Sequence, residues 1–194
     1  MARKIGVLAL QGNFEKHQVA LHDSGVETIL VKKPEHLKVC DGLVIPGGES
    51  TTITKLMSAL DLYDSIIDFA SHYPVMGTCA GIILLASYVD DIRVKPLKLI
   101  DATVTRNAYG RQIDSFIMNL DTNFLNSSDN PQTNTRFKSI FIRAPKIIKT
   151  GNNVKILIKF KNEPVMIQGN NILGLTFHPE LTEDYRIHKY FLSI

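Results

Sequence analysis

Uninterrupted apolar runs alternate with amphipathic stretches along the first half of the chain. Runs of this kind are typical of strands that are buried on both faces, as in a parallel sheet. They lie at 5–10, 28–31, 42–45 and 74–76. The stretches between them have helical patterns, at 14–22, 51–60 and 63–70. Because parallel neighbours need crossover connections, this alternation predicts a doubly wound α/β sheet.

Polar residues precede the first two predicted helices. Asn13 stands before the first helix and Ser50 before the second, and we expect their side chains to cap them. Gly25 is expected to end the first helix. Val19 and Leu21 are expected on or near its inner side.

The second half of the chain has few helical patterns. Its apolar segments are short and separated by polar turns, and they predict strands at 102–106, 115–118, 139–142, 154–160, 165–168 and 172–177. The polar stretch 123–135 predicts a surface loop, and a last helix is expected over about 183–191. We therefore expect a β-meander or mixed-sheet extension of the parallel sheet. Since neither a repeat nor a linker interrupts the chain, one domain over 1–194 is expected.

The composition narrows the class of protein. Hydrophobic residues make up 44% and charged residues 21% of the 194 residues, which is ordinary for a soluble globular protein. The net charge of +3 is small and the lysines are scattered, so a solvated surface is favoured over a nucleic-acid-binding face. No apolar run approaches the roughly 20 residues that span a bilayer, and we expect neither a membrane segment nor a signal peptide.

The cysteines predict a reducing compartment. Cys40 and Cys79 are too few for a disulfide framework, so a cytoplasmic location is expected. Cys40 lies at a strand edge without reactive surroundings and is interpreted as structural. Neither Cys-x-x-Cys nor His-Glu-x-x-His spacing occurs, so we expect no metal site and no cofactor.

The pentapeptide at 77–81, Gly-Thr-Cys-Ala-Gly, follows a predicted strand and precedes an apolar segment that predicts a helix. This is the layout of a nucleophile elbow with cysteine in place of serine. Small flanking residues permit the tight turn, and a helix N-terminus favours the thiolate. We interpret Cys79 as a catalytic nucleophile. A tight turn with a purely structural role is the alternative.

A His-Pro-Glu segment at 178–180 follows the last predicted strand. Because residues i and i+2 of an extended chain point the same way, the Glu180 carboxylate is expected beside the His178 ring, where it selects the tautomer and stabilises the imidazolium. A surface turn with two solvated polar groups is the alternative. The other histidines lack such a partner and are expected at the surface: His17, His22, His36, His72 and His188.

The turn at 46–51, Pro-Gly-Gly-Glu-Ser-Thr, lies between a predicted strand and a predicted helix. A glycine-rich turn there can cradle a phosphate, but this one lacks the lysine and the spacing of a P-loop. It is better suited to form a second wall beside the elbow. We expect the backbone N–H groups of Gly48 and Ala80 to form an oxyanion hole for acyl transfer.

Together, the Gly-x-Cys-x-Gly and His-Pro-Glu segments resemble the triad, or class I, glutamine amidotransferases. Within them the chain is most similar to the glutaminase subunits of pyridoxal 5′-phosphate synthases, and the similarity covers nearly its whole length. The 46–51 turn and the segment Arg-Asn-Ala-Tyr-Gly-Arg-Gln-Ile-Asp-Ser-Phe at 106–116 are specific to this subfamily. The polar stretch around 126–135 is longer than the family pattern. Further matching segments are Ala-Leu-Gln-Gly at 9–12, Phe-Ile-Arg-Ala-Pro at 141–145 and Phe-His-Pro-Glu-Leu-Thr at 177–182.

The resemblance implies a flavodoxin-like α/β fold, with a mostly parallel central sheet flanked by helices and a mixed β extension in the C-terminal half. It implies hydrolysis of L-glutamine to L-glutamate and ammonia through a Cys79–His178–Glu180 triad and a cysteinyl thioester. The glutamine-binding residues that it implies are Gly48, Glu49, Ser50, Arg106, Ile142 and Arg143.

The resemblance also implies a partner for the ammonia. This partner is a synthase subunit with a (β/α)₈ barrel, and the two assemble into a large hetero-oligomer that makes pyridoxal 5′-phosphate, or vitamin B6. Neither a nucleic acid nor a membrane is expected as a partner. Since the loop at Gln11 and Gly12 follows the first strand at the active edge of the sheet, we expect that the oxyanion hole needs the partner and that the free subunit is weakly active.

Three other functions fit parts of the pattern. A cysteine hydrolase or peptidase on a related fold shares the nucleophile, base and acid, and cleavage of peptides or esters rather than glutamine would reveal it. A non-catalytic binding or regulatory module is expected to lose Cys79, His178 or Glu180, and all three are present. An amidotransferase subunit that serves a different synthase is disfavoured by the 106–116 segment.

Overall fold

A seven-stranded sheet lies at the centre of the protein, which is described by a computed structural model over residues 3–106, 115–125 and 135–194. Within these residues the strands are β1 (Lys4–Leu8), β2 (Glu27–Val31), β3 (Gly42–Ile45), β4 (Val75–Thr78), β5 (Ala86–Val89), β6 (Ile100–Thr105), β7 (Ser115–Asp121), β8 (Arg136–Ile142), β9 (Lys146–Thr150), β10 (Lys155–Phe160), β11 (Glu163–Gly169) and β12 (Ile172–Leu175). The α-helices are α1 (Phe14–His22), α2 (Ser50–Ala59), α3 (Leu62–Ala70), α4 (Ala80–Leu85) and α5 (Arg186–Leu192). Short 3₁₀ helices lie at Pro34–Val39, Asn123–Leu125 and Pro179–Leu181.

The strand order of the central sheet is β10-β11-β12-β4-β3-β1-β2. The five strands from β12 to β2 pair in parallel, whereas β11 and β10 continue the sheet as an antiparallel meander. This arrangement confirms the predicted α/β class with a mixed extension. Two smaller sheets, β5-β6-β9 and the hairpin β7-β8, complete the second half.

Each face of the central sheet is covered by its own hydrophobic cluster. Successive residues of one strand belong to opposite clusters: Leu43 and Ile45 pack with α2 and α4, whereas Val44 packs with α5. Because both faces are covered, β3, β4 and β12 have no exposed residue, which explains their uninterrupted apolar sequence. Because the strands from β12 to β2 run parallel, their carboxyl ends lie along one edge of the sheet, where the loops that follow them meet.

The strands β5 and β9 were not predicted. α4 is only six residues long and passes directly into β5, so the apolar sequence from 82 to 89 shows no boundary between helix and strand. β9 has one buried residue, Ile147, and so lacks the alternation that marks a strand. The predicted surface loop at 123–135 begins with a 3₁₀ turn, and its residues 126–134 lie outside the described part of the chain.

Three details of the predicted helices are wrong. α2 is capped by Glu49, whose carboxylate accepts a hydrogen bond from the Thr52 N–H at 2.9 Å, and Ser50 is already the first helical residue. Asn13 stands at the N-terminus of α1 as expected but makes no capping hydrogen bond with its side chain. On α1, Leu21 is buried as expected, whereas Val19 is 54% exposed.

None of the helices within the described ranges is long and apolar enough to cross a membrane.

We predict that Gly81→Ala destabilises the fold. An added Cβ there would overlap the carbonyl oxygen of Ile45, which is sheet backbone and cannot move aside. Overpacking of this kind costs about 1–3 kcal/mol, so the free energy of unfolding measured in urea should fall by that amount. Gly169→Ala is the control, because its Cβ would lie 3.2 Å from the nearest atom, in the Ile100 side chain. Equal losses in both variants would contradict this account.

Candidate active site

A cleft of about 490 Å³ lies at the carboxyl edge of the parallel strands. It is bounded by the loop after β1, the glycine-rich turn after β3, the elbow after β4 and the end of β8. The lining residues are Gln11, Gly12, Asn13, Gly47, Gly48, Glu49, Ser50, Cys79, Ala80, Ile83, Arg106, Ile142, Arg143 and His178. Loops from separate parts of the chain thus share one concave surface, as parallel α/β sheets favour.

The structure places nine of the ten residues singled out from the sequence on this lining. Glu180, the tenth, lies behind His178 and is buried. The segment 107–114, which carries most of the subfamily motif, lies outside the described residues. The sequence motifs thus converge on a single cleft although they are distant along the chain.

Cys79 forms the turn between β4 and α4 with a strained backbone, at φ 52° and ψ −104°. Residues with a Cβ rarely adopt this conformation, and it is concentrated at functional sites. Gly77 and Gly81 permit the turn, because a Cβ on Gly77 would lie 2.6 Å from the carbonyl carbon of Gly81. The Cys79 N–H donates to the Leu175 carbonyl at 2.9 Å, which ties the turn to β12. The elbow therefore presents the sulfur at the floor of the cleft.

His178 and Glu180 form a buried hydrogen-bonded pair. Nδ1 of His178 lies 2.7 Å from Oε1 of Glu180, and the side chains are 6% and 0% exposed. The chain turns into a 3₁₀ helix at Pro179 rather than staying extended, yet this turn still brings the carboxylate beside the ring. A carboxylate on Nδ1 leaves Nε2 as the nitrogen that is free to face the cleft.

Electrostatics favour a charged His178. Burial acts to lower its pKa, but a hydrogen bond and charge from Cys79, and those from Glu180, outweigh it and raise the pKa of His178 to about 10. Burial likewise acts to raise the pKa of Glu180, but the neighbouring His17 and His178 lower it to about 2. We assign the charge–charge part of this effect to His178, because His17 is neutral at pH 7: its own pKa is lowered by complete burial. At neutral pH the site thus holds an imidazolium between the sulfur and a carboxylate.

The glycine-rich turn packs directly against the catalytic candidates. A Cβ on Gly47 would overlap Cε1 of His178 and lie 3.2 Å from Cβ of Cys79, so only glycine fits there. On its other side, the Glu49 N–H donates to Oε1 of Gln11 at 2.6 Å. The loop after β1 therefore holds the turn in place by a side-chain amide.

Charged groups form the rim of the cleft. Oε1 of Glu49 lies 2.9 Å from Arg106, whose guanidinium also contacts the Asp91 carboxylate. Partial burial acts to raise the pKa of Glu49, but hydrogen bonds, chiefly from the Thr51 hydroxyl, lower it to about 2, so the carboxylate is ionised. Arg143 is exposed, has φ 42°, and makes no ion pair with any described residue.

The sequence missed several features of this region. Asn13, Gly47 and Ile83 line the cleft without having been predicted as part of the site. Asn13 and Gly47 lie in loops that follow parallel strands, and Ile83 lies in α4 directly after the elbow, so only these positions in the fold could have indicated them. The prediction of a surface position was wrong for His17 and His188, which are fully buried behind Glu180. Cys40 is buried as expected of a structural cysteine, and burial raises its pKa to about 11.

Solved structures share this fold. A crystal structure of a glutamine amidotransferase matches with a TM-score of 0.89 and 40% identity over 97% of both chains. PurLQS from Thermotoga maritima matches with a TM-score of 0.69 over 100% of this chain and 99% of that one. A further glutamine amidotransferase, also from Thermotoga maritima, has a TM-score of 0.59, covering 100% and 82%. The last two are 18% and 13% identical and show the fold alone.

The chain belongs to the SNO glutamine amidotransferase family, whose model matches residues 7–194. Several relatives are named pyridoxal 5′-phosphate synthase subunit PdxT. That of Dictyoglomus turgidum is 48% identical over 192 residues, covering 98% of this chain and 97% of the relative. Those of Thermotoga petrophila and Francisella philomiragia are each 45% identical, covering 98% and 100% of both chains. These matches confirm the resemblance inferred from the sequence.

We predict that His178 stays protonated well above the ordinary pKa of histidine. A raised pKa means that the imidazolium persists as the pH rises past 6.5 and is lost only near pH 10. In Cys79→Ala the titration should move to lower pH, because the contact with Cys79 contributes to the shift. NMR titration of ¹³C-labelled histidine measures both. An unchanged midpoint in Cys79→Ala would show that Cys79 does not act on this ring.

Proposed function

We propose that the protein hydrolyses L-glutamine to L-glutamate and ammonia through a Cys79–His178–Glu180 triad. The observation that carries this proposal is the strained Cys79 elbow in the same cleft as the His178–Glu180 pair, in a member of a glutamine amidotransferase family. Nucleophile, base and orienting acid are the groups that acyl transfer needs.

The reaction begins with attack of the Cys79 thiolate on the side-chain carboxamide carbon of glutamine. The tetrahedral oxyanion is held by backbone N–H groups of Gly48 and Ala80. Ala80 suits this role because the first N–H groups of a helix have no partner within it. His178 donates its proton to the leaving ammonia, and a cysteinyl thioester remains. Neutral His178 then takes a proton from water, which attacks the thioester and releases glutamate.

The charged rim orients the substrate. Arg143, which is exposed and makes no ion pair with any described residue, is suited to bind the α-carboxylate of glutamine. The ionised Glu49 suits the α-ammonium group of glutamine. Arg106 is already held by Glu49 and Asp91, so it positions the Glu49 carboxylate as well as facing the cleft. The remaining proposed binding residues also line the cleft: Gly48, Ser50 and Ile142.

The ammonia is delivered to a synthase subunit for pyridoxal 5′-phosphate formation. Support for this step comes from the relatives named as subunits of pyridoxal 5′-phosphate synthase, which match this chain over nearly their full length. We propose that the synthase is the (β/α)₈-barrel partner in a large hetero-oligomer. The cytoplasmic location expected from the cysteines stays a prediction.

The free subunit is proposed to be weakly active. Gln11 Oε1 already accepts the Glu49 N–H, and a Cβ on Gly48 would lie 2.5 Å from the same oxygen, so the Gln11 amide lies against the turn that supplies half of the oxyanion hole. Docking of the partner near the loop after β1 would reposition this contact. Ammonia release measured with and without the synthase tests this, and equal rates would count against it.

We predict that Cys79→Ala lowers glutamine turnover, measured as ammonia release with the synthase present, by more than about a thousandfold, because no nucleophile remains. Circular dichroism should show a folded protein. Cys40→Ala is the matched control and should keep turnover, since Cys40 lies outside the cleft. Retained turnover in Cys79→Ala would overturn the proposal, and cleavage of peptides or esters instead of glutamine by the wild-type protein would favour a hydrolase.

We predict that Arg106→Gln raises KM for glutamine by about tenfold or more with a smaller effect on kcat. Without Arg106, the Glu49 carboxylate is no longer held in position to bind glutamine. A hydrogen bond to a charged group contributes about 1.5–3 kcal/mol to the binding free energy, which corresponds to a rise of this size in KM. Arg93→Gln is the control, because Arg93 also pairs with Asp91 but does not line the cleft. Steady-state kinetics with glutamine measure KM and kcat of both variants. A tenfold rise in Arg93→Gln as well would place the effect on Asp91 instead.

A further inference from the structure

Two histidines without a role in the proposed reaction lie directly behind the triad. His17 on α1 and His188 on α5 are both 0% exposed. A buried imidazole loses its hydration, and apolar side chains of similar size often fill such positions at no cost to stability. We therefore expect the polar N–H groups of these two rings to interact with a neighbouring polar or charged group.

The hydrogen bonds of the pair determine one arrangement of protons. His188 Nδ1 is buried and has no hydrogen-bond partner among the described residues, whereas its Nε2 lies 3.1 Å from Nδ1 of His17. Placing the His188 proton on Nε2 avoids an unpaired buried N–H and lets this nitrogen donate to His17. Nδ1 of His17 is then an acceptor, so the proton of His17 is on Nε2.

This nitrogen of His17 is hydrogen-bonded to the Thr78 hydroxyl and also lies next to the carboxylate of the triad. It lies 3.4 Å from Oε2 of Glu180 and 3.2 Å from the hydroxyl of Thr78, the residue before Cys79. Oε2 of Glu180 is buried and has no hydrogen-bond partner within the described residues, whereas Oε1 accepts the hydrogen bond from His178. Of the two acceptors, the ionised carboxylate attracts an N–H more strongly than a hydroxyl does.

We propose that His17, held in one tautomer by His188, is a positioning residue for the glutaminase reaction. Its Nε2–H stabilises the ionised carboxylate of Glu180 from the side opposite His178 and keeps Oε1 turned toward the catalytic imidazole. This inference rests on the proposed function, since Glu180 matters only if His178 performs proton transfer.

The charges around His17 are consistent with this role. The titratable groups that face it are Glu180 and His178 on the His-Pro-Glu segment and His188 on α5. β4 contributes only the neutral Thr78 hydroxyl. The strands β1 and β2, which also pack against α1, contribute apolar side chains to this side of the sheet. Burial lowers the pKa of His17 and, to about 3, that of His188, so both are neutral near pH 7 and act through their N–H dipoles.

The test compares His17→Leu with His17→Gln. Leucine fills the space without an N–H, whereas the glutamine side-chain amide nitrogen can occupy the position of Nε2. In the complex with the synthase, we expect His17→Leu to lower kcat for glutamine by about 10- to 100-fold with KM nearly unchanged, because the buried Glu180 carboxylate loses the N–H dipole that lies 3.4 Å from its Oε2. His17→Gln should recover most of this loss. His22→Gln is the control on the same helix, since its side chain is 84% exposed.

The pKa of His178, measured by NMR titration, separates a positioning role of His17 from a purely structural one. In His17→Leu the midpoint of His178 should shift from that of the wild type, and His17→Gln should restore it. Wild-type kcat and an unchanged midpoint in a folded His17→Leu variant would overturn the positioning role. If His17→Leu does not fold, His188→Leu is measured instead. Without His188, His17 is no longer held in one tautomer, so kcat should fall. An unchanged kcat together with an unchanged His178 midpoint would overturn the positioning role of His17. If the wild-type protein releases no ammonia from glutamine even with the synthase, the proposed function is contradicted. The NMR titration of His178 in His17→Leu still tests the contact of His17 with Glu180 in that case.

Discussion

The turn at Cys79 sets the geometry on which the rest of the site depends. A residue with a side chain holds φ 52° there because β4 and α4 are both buried and Gly77 and Gly81 let them approach. This backbone conformation costs free energy of order 1–3 kcal/mol, and the packing of the strand and helix on either side offsets it. The position of the sulfur is consequently fixed by the packed strand and helix rather than by a loop.

Everything else in the cleft is arranged relative to that fixed sulfur. The glycine at 47 lets the His178 ring lie beside the elbow, and the Glu180 carboxylate holds the ring from behind. Since the carboxylate is itself buried, its ionisation depends on donors supplied by the protein. The site is thus built in layers: a sulfur, an imidazole and a carboxylate, with the buried pair His17 and His188 beneath them.

The position of the site in the fold follows from the parallel pairing. Loops after β1, β3 and β4 meet because parallel strands end at one edge, which brings Gln11, Gly48 and Cys79 together across long stretches of chain. The antiparallel strands β10 and β11 extend the sheet sideways, beyond β12. The smaller sheets add to the cleft: Ile142 ends β8, Arg143 follows it, and Arg106 directly follows β6.

The sequence alone determined the fold class, the resemblance to the family and most of the residues that line the cleft, because long apolar runs, glycine spacing and short motifs are local properties. It did not determine the cap of α2, since Glu49 rather than Ser50 reaches the free N–H groups only once the glycine-rich turn has its three-dimensional form. Nor did it separate the buried histidine of α1 from the exposed one, because α5 and the His-Pro-Glu turn cover His17 and leave His22 exposed. Burial and hydrogen-bond partners are decided by elements that are far apart in the chain, so only the tertiary structure could assign them.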